Sequence, residues 1–177
     1  PRADCVVTVT KNEAEDILEA IPNSAPIAVV SNIHSVLDKP LPPNERDHIC
    51  FLGNFNVNHN IDAAHYFISE VFPLIRRKHP DIEFHLIGFG SDRLSEFVNH
   101  KGVKLVGPVN DLNLKLNRYR VFACPLTYGT GLKGKIGMAM SNGLPIVSST
   151  IGVEGFPVAD GRDCFIADDP TSFAEKC

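Results

Sequence analysis

No apolar run in this chain approaches the ~18 to 20 residues of a membrane span, and the opening residues lack the charged-then-apolar pattern of a secretion signal. No transmembrane segment is expected. Positive charge is scarce: 17 Lys and Arg stand against 21 Asp and Glu, the formal net charge is -4, and the sequence pI is near 6.0. The longest basic run is Arg76, Arg77 and Lys78, so a nucleic-acid backbone would meet no basic field and is not expected as a partner. Cysteines are few and odd in number (Cys5, Cys50, Cys124, Cys164, Cys177), three of them within apolar strand-like runs, which reads as reduced thiols and a cytoplasmic protein. Histidines 34, 48, 59, 65, 79, 85 and 100 show no metal-ligand spacing, and His85 lies within an apolar strand, so neither metal nor cofactor is expected. A Gly-Lys-Ser/Thr triplet is missing, which excludes a P-loop. A serine nucleophile elbow is missing too, which excludes an α/β-hydrolase. Gly88-Phe89-Gly90 starts like a dinucleotide fingerprint, yet Arg93 takes the third glycine's place. Acidic residues are absent from GNFNVNHN, where a receiver-type signalling domain would cluster them.

What is present is an ordinary globular balance, 44% apolar and 21% charged, over 177 residues, enough for one full core. ADCVVTVT reads as a strand and KNEAEDILEA as a helix, with Thr10 and Glu13 at capping-box spacing. PIAVVS follows as a second strand. From Asn32 to Arg46 three prolines, all in KPLPPNER, break either periodicity and mark a linker or long loop. Strands and helices then alternate: HICFLG, NIDAAHYFISEVFPLIRRKH, IEFHLIG, DRLSEFV, VKLVG, DLNLKLN, RVFACPL, LKGKIGMAMSNG and LPIVSS. Nearly continuous apolar strands separated by helices predict an α/β fold with a doubly wound parallel sheet covered on both faces. Right-handed crossovers place the strands' carboxyl ends on one edge, where such folds bind ligands.

Five glycine-bearing loops fall on that edge, beginning at Gly53, Gly88, Gly107, Leu126 and Ser149. The richest is TYGTGLKGKIGMAMSNG. Gly129, Gly131 and Gly134 would let anionic oxygens reach backbone N–H groups at a helix start, and Lys133 and Lys135 would add charge for a diphosphate. On a helical wheel Leu132, Ile136, Ala139 and Met140 form the core face. Gly134, Met138 and Ser141 take the opposite side, so Met138 should point away from the core, toward the ligand edge or a partner domain.

The stretch GLKGKIGMAMSNGLPIVSSTIGVEG resembles the signature of glycosyltransferase family 4, the retaining GT-B enzymes of bacterial surface polysaccharide synthesis. ICFLGNF, NIDAAHYF, VKLVGPVNDL, VFACPL and DGRDCFIADDPTSFAE are similar as well, so the likeness covers most of the chain. It implies a Rossmann-like domain forming the C-terminal half of a GT-B fold. Residues 1–25 would close an N-terminal acceptor domain, 26–47 would be linker and first strand region, and 48–177 would bind the nucleotide sugar. Pro1 and the closing PTSFAEKC read as the ends of a fragment, truncated in its last helix, and inactive when isolated. The implied activity is transfer of a sugar from a UDP- or GDP-sugar, with retention, to a saccharide or lipid-linked acceptor held by the other half. Contact with the inner face of a membrane would come through that half.

Residue by residue, the resemblance sets Gly53 and Asn54 beside the donor phosphates, though many relatives carry a basic residue at the second position. Val106, Gly107 and Val109 correspond to the base-contacting loop. The backbone from Thr130 through Gly131 and Lys133 to Gly134 corresponds to the diphosphate and sugar site, with Lys135 beside it. The family's two glutamates, the second of which takes the ribose hydroxyls, are replaced by Thr130 and Met138. Losing a charge-assisted contact costs ~1.5–3 kcal/mol, so weak nucleotide binding is expected. Three explanations stand open: a diverged ribose contact, an altered residue, or a catalytically degenerate module that binds nucleotide sugars or serves as a scaffold.

Overall fold

The computed structural model describes residues 3–177. Strand β1 (Val6–Thr8) leads into helix α1 (Lys11–Ala20), and strand β2 (Ile27–Val29) pairs in parallel with β1. The expected capping box is formed: Thr10 Oγ1 accepts the Glu13 N–H at 3.1 Å, and the Glu13 carboxylate accepts the Thr10 N–H at 3.3 Å. Two helix-start N–H groups that would otherwise lack partners are thereby satisfied.

The proline-bearing segment that follows holds no regular element beyond one turn of 3-10 helix, Pro43–Glu45. Its far end is pinned by Arg46, which is buried and donates to the carbonyls of Leu41 at 2.7 Å and Gly143 at 2.8 Å.

Beyond it lies one six-stranded parallel sheet made of β3 (Asp47–Leu52), β4 (Phe84–Ile87), β5 (Val103–Gly107), β6 (Tyr119–Cys124), β7 (Ile146–Ser148) and β8 (Phe165–Ile166). The order across the sheet is β5-β4-β3-β6-β7-β8. Chain direction along the sheet reverses between β3 and β6, and a Rossmann-like sheet opens a crevice at that switch point. Helices α2 (Asn58–Tyr66), α3 (Phe72–Lys78), α4 (Leu112–Leu116), α5 (Gly134–Ser141) and α6 (Pro170–Lys176) cover the sheet. The core is built on Phe51, Phe55, Phe67, Phe72, Phe84, Phe122 and Phe173, all fully buried. Among the described residues no helix is long and apolar enough to cross a membrane.

Three details differ from the sequence expectation. The helix expected to run unbroken after β3 contains a π turn at Phe67–Val71. One extra residue per turn lets Phe67, Ile68, Val71 and Phe72 all face inward. Strand β8 has two residues, too few to show a period, and was not foreseen. Ser141, assigned to the side of α5 away from the core, is buried because the linker lies across that side and Leu37 N–H donates to its carbonyl at 2.8 Å.

Candidate functional site

At the carboxyl edge beside the switch point, the loops after β3 and β4 approach each other through glycine. Gly88 has φ +128°, and a Cβ there would stand 2.0 Å from the Gly53 carbonyl oxygen. Any L side chain would push the two loops apart. The third wall is α5, whose first turn follows the glycine-rich loop. Its N-cap, Lys133, gives no side-chain hydrogen bond; the Ile136 N–H donates to the Lys133 carbonyl at 2.8 Å, while the Gly134 and Lys135 amides have no partner among the described residues and can meet an external acceptor.

Between these walls lies a cavity of about 470 Å³. Gly134 and Lys135 mark one end, at the start of α5. Leu52, Ile87, Val109 and Leu112 give the rest an apolar wall, with Phe89 66% exposed at its rim. Gly53, Asn54 and Met138 complete the foreseen residues that line it; Met138, placed by the wheel away from the core, also packs partly against it. His34, Leu52, Ile87, Gly88, Phe89, Pro108 and Leu112 line it without having been foreseen as site residues. Of these Gly88 and Phe89 carried a signal, within the GFGSD loop, and Pro108 did too, within the GPVND loop; His34 reaches the site from the linker, which no spacing rule connects to α5.

The two lysines part company. Lys135 is half-buried, and desolvation pulls its ammonium below the ordinary lysine pKa. It donates to Asn60 Oδ1 and stands 4.6 Å above the Phe51 ring. Asn60 in turn donates to the Asn54 carbonyl at 2.9 Å, so one buried carboxamide fixes both the β3 loop and the lysine. Lys133 does not line the cavity. Its ammonium is held by Glu154 Oε2 at 2.9 Å and the Gly129 carbonyl at 3.1 Å, which closes the glycine-rich loop on itself. Thr130 and Gly131 are exposed in that loop, outside the cavity lining. Val106 and Gly107 lie in β5, where the Gly107 carbonyl accepts the Gly88 N–H at 2.9 Å and supports the floor from behind.

The loop is tied to α2 by Tyr128, whose hydroxyl donates to Asp62 and whose ring meets His59 edge-on at 6.3 Å. Burial first, then Lys135 and Lys133, pull His59 below the usual histidine pKa. Neutral imidazole is the favoured form beside two ammonium groups.

At the opposite edge, His48, Glu83 and His85 converge within 4.8 Å, a grouping that spacing did not reveal. The hydrogen bonds there account for it. His85 meets Tyr119 Oη at 2.8 Å and Glu83 Oε2 at 2.8 Å, while His48 Nδ1 accepts the Glu83 N–H at 3.3 Å. Accepting at Nδ1 puts the neutral His48 proton on Nε2, so that atom has no lone pair for a metal. A hollow of about 680 Å³ nearby, lined by His79 and Asp81, exceeds the first in size but has neither a glycine loop nor a helix start. Size alone does not select it.

Residues 46–177 match the family described as glycosyl transferases group 1. An uncharacterized 44.6 kDa protein in the cps region of Klebsiella pneumoniae is 26% identical over 136 residues, 72% of this chain and 35% of that protein. The phosphatidyl-myo-inositol mannosyltransferase of Propionibacterium freudenreichii is 26% identical over 159 residues, 85% of this chain and 39% of that enzyme. The chain therefore spans well under half the length of either relative. Among solved structures, a mutant of S. aureus TarM in complex with fondaparinux, alpha-GlcNAc-glycerol and UDP superposes with a TM-score of 0.75 at 18% identity, over 98% of this chain and 36% of that one. Likeness at that identity establishes a shared fold.

Proposed function

Because the chain belongs to the glycosyl transferases group 1 family, we propose that it is the donor-binding half of a GT-B glycosyltransferase and that its switch-point cavity takes a UDP- or GDP-sugar. One observation carries the reading: the Gly134 and Lys135 amides and the half-buried Lys135 side chain border a cavity whose lining, His34 and Asn54 apart, is otherwise apolar or glycine. A nucleoside diphosphate has the same division, with two charged phosphates at one end and a flat base at the other. Phosphate oxygens would accept from the α5 amides and Lys135, and the base would lie against Val109 and Leu112 with Phe89 over it.

In this reading the half serves the step in which the glycosyl bond to the diphosphate breaks. Preorganised amide dipoles and one desolvated ammonium stabilise charge as it gathers on the departing phosphate. The anomeric outcome, expected to be retention, and the saccharide or lipid-linked acceptor belong to the whole enzyme. Residues 1–25 would close the acceptor domain, and 26–47 would join it to the donor domain.

Met138 favours a second reading, a nucleotide-sugar-binding module without turnover, because a thioether is a weak acceptor for ribose hydroxyls. Calorimetric titration with UDP and GDP tests both. The proposal expects weak binding of one nucleotide, strengthened about 10-fold or more by Met138→Glu through a charge-assisted contact. No heat of binding to either protein, with both folded, would overturn the donor-site reading.

A further inference from the structure

The linker does more than join two parts, because it lies lengthwise on α5. Asn32 Nδ2 stands 3.6 Å from where a Cβ on Gly134 would be, and Leu37 N–H donates to the Ser141 carbonyl. Between them the His34 ring occupies the side-chain space of Gly137: a Cβ there would come within 2.3 Å of His34 Nε2. Small residues at 134, 137 and 141 give α5 a groove, and His34 fills its middle.

The filling is chemically odd. His34 Nε2 is sealed from solvent and has no hydrogen-bond partner among the described residues. An unpaired buried ring nitrogen costs free energy that an apolar side chain in the same notch would not. Packing therefore accounts for the ring's shape and not for its polarity. The ring also lines the cavity, beside Met138, which follows Gly137 in the helix.

Position along α5 suggests what the polarity serves. Gly134 begins the helix, and Gly137 lies three residues further, about 4.5 Å along the axis. With phosphates at the helix start and a base against the apolar wall, the ribose of a nucleoside diphosphate falls alongside that next stretch of helix. We propose that His34 is a specificity-determining residue of this site: it supplies a ring nitrogen to a ribose hydroxyl, and Gly137 provides the space that holds the ring at the cavity wall. Nε2 faces the notch in this structure, so the contact requires the ring to turn, and χ2 is a broad torsion in histidine. The assignment rests on the donor-site reading, and it gives the linker a part in ligand binding that Met138 cannot play.

The test uses the 177-residue chain and titrates UDP, GDP and inorganic pyrophosphate by calorimetry into wild type, His34→Ala, His34→Gln, Gly137→Ala and the double variant His34→Ala with Gly137→Ala. Loss of one hydrogen bond predicts about a 2- to 10-fold weakening of the nucleoside diphosphate in His34→Ala, with pyrophosphate affinity unchanged. His34→Gln should keep most of the affinity, since the carboxamide also donates and accepts. Gly137→Ala should match His34→Ala by displacing the ring, and the double variant should lose nothing more. Thermal melts confirm that each variant is folded. Unchanged nucleotide affinity in folded His34→Ala, or an equal fall for pyrophosphate, would overturn the role of His34 and leave the donor site standing. Failure of wild type to bind either nucleotide would remove both.

Discussion

Replacing Lys135 by methionine separates a binding lysine from a structural one. Methionine keeps most of the aliphatic stem over Phe51 and removes the ammonium, which stands 4.6 Å above that ring and donates to Asn60. On the stability side, Asn60 Oδ1 loses its donor, at a cost of about 1–3 kcal/mol, and the cation–π contact is worth about 0.5–2 kcal/mol more. Against this, a half-buried cation no longer has to be desolvated, a gain of about a few kcal/mol, the same desolvation that lowers its pKa. The terms nearly cancel, so urea unfolding should place the variant within about 2 kcal/mol of wild type. The binding side has no such compensation. A charge-assisted hydrogen bond to phosphate contributes about 1.5–3 kcal/mol, so UDP should bind about 10- to 150-fold more weakly, and pyrophosphate should lose a similar factor. Calorimetry on the folded variant reads both. Undiminished UDP affinity, or a large loss of stability with affinity intact, would refute Lys135 as a phosphate ligand.

The depressed Lys135 pKa carries a sign that can be checked. A phosphate beside the ammonium raises the pKa again, so binding takes up protons, and UDP affinity should fall as pH climbs through the lowered value, before the usual 10.5. Lys135→Met should lack that component of the pH profile. Gly88→Ala puts a Cβ 2.0 Å from the Gly53 carbonyl at a φ of +128°; overpacking and strain together should cost about 3 kcal/mol or more, read by urea denaturation, and an unchanged midpoint would contradict the floor as described. Glu154→Gln removes the partner of a buried ammonium, but Glu154 is itself half exposed, so the expected loss is about 1 kcal/mol with UDP affinity changed less than about 2-fold. A 10-fold change in affinity would mean that Lys133 serves the phosphates after all.

Much of the architecture was legible because parallel strands buried on both faces leave unbroken apolar runs, as in HICFLG and RVFACPL, and the turns between elements need glycine. Gly53, Gly134 and Lys135 could be placed at one edge from that alternation, and the helical wheel added Met138. Less legible were contacts between residues far apart in sequence. Lys133 and Lys135 have equal standing in the motif, and only the fold brings Glu154, 21 residues on, against the first while leaving the second in the cavity. His34 and Gly137 form a pair across the linker, and neither residue alone signals it. The π turn at Phe67–Val71 lay hidden because an apolar helix with one extra residue differs little in pattern from a regular one.

The central claim is that a nucleoside diphosphate docks with its phosphates on the start of α5. Amide chemical-shift mapping of the isotopically labelled chain during UDP and GDP titration addresses it most directly. The account predicts saturable shifts concentrated at Gly53, Gly134, Lys135 and Met138, with pyrophosphate reproducing those at Gly134 and Lys135, while His79 and Asp81 at the opposite edge stay still. Shifts centred on that opposite hollow, or none at α5 with either nucleotide at saturation, would contradict it.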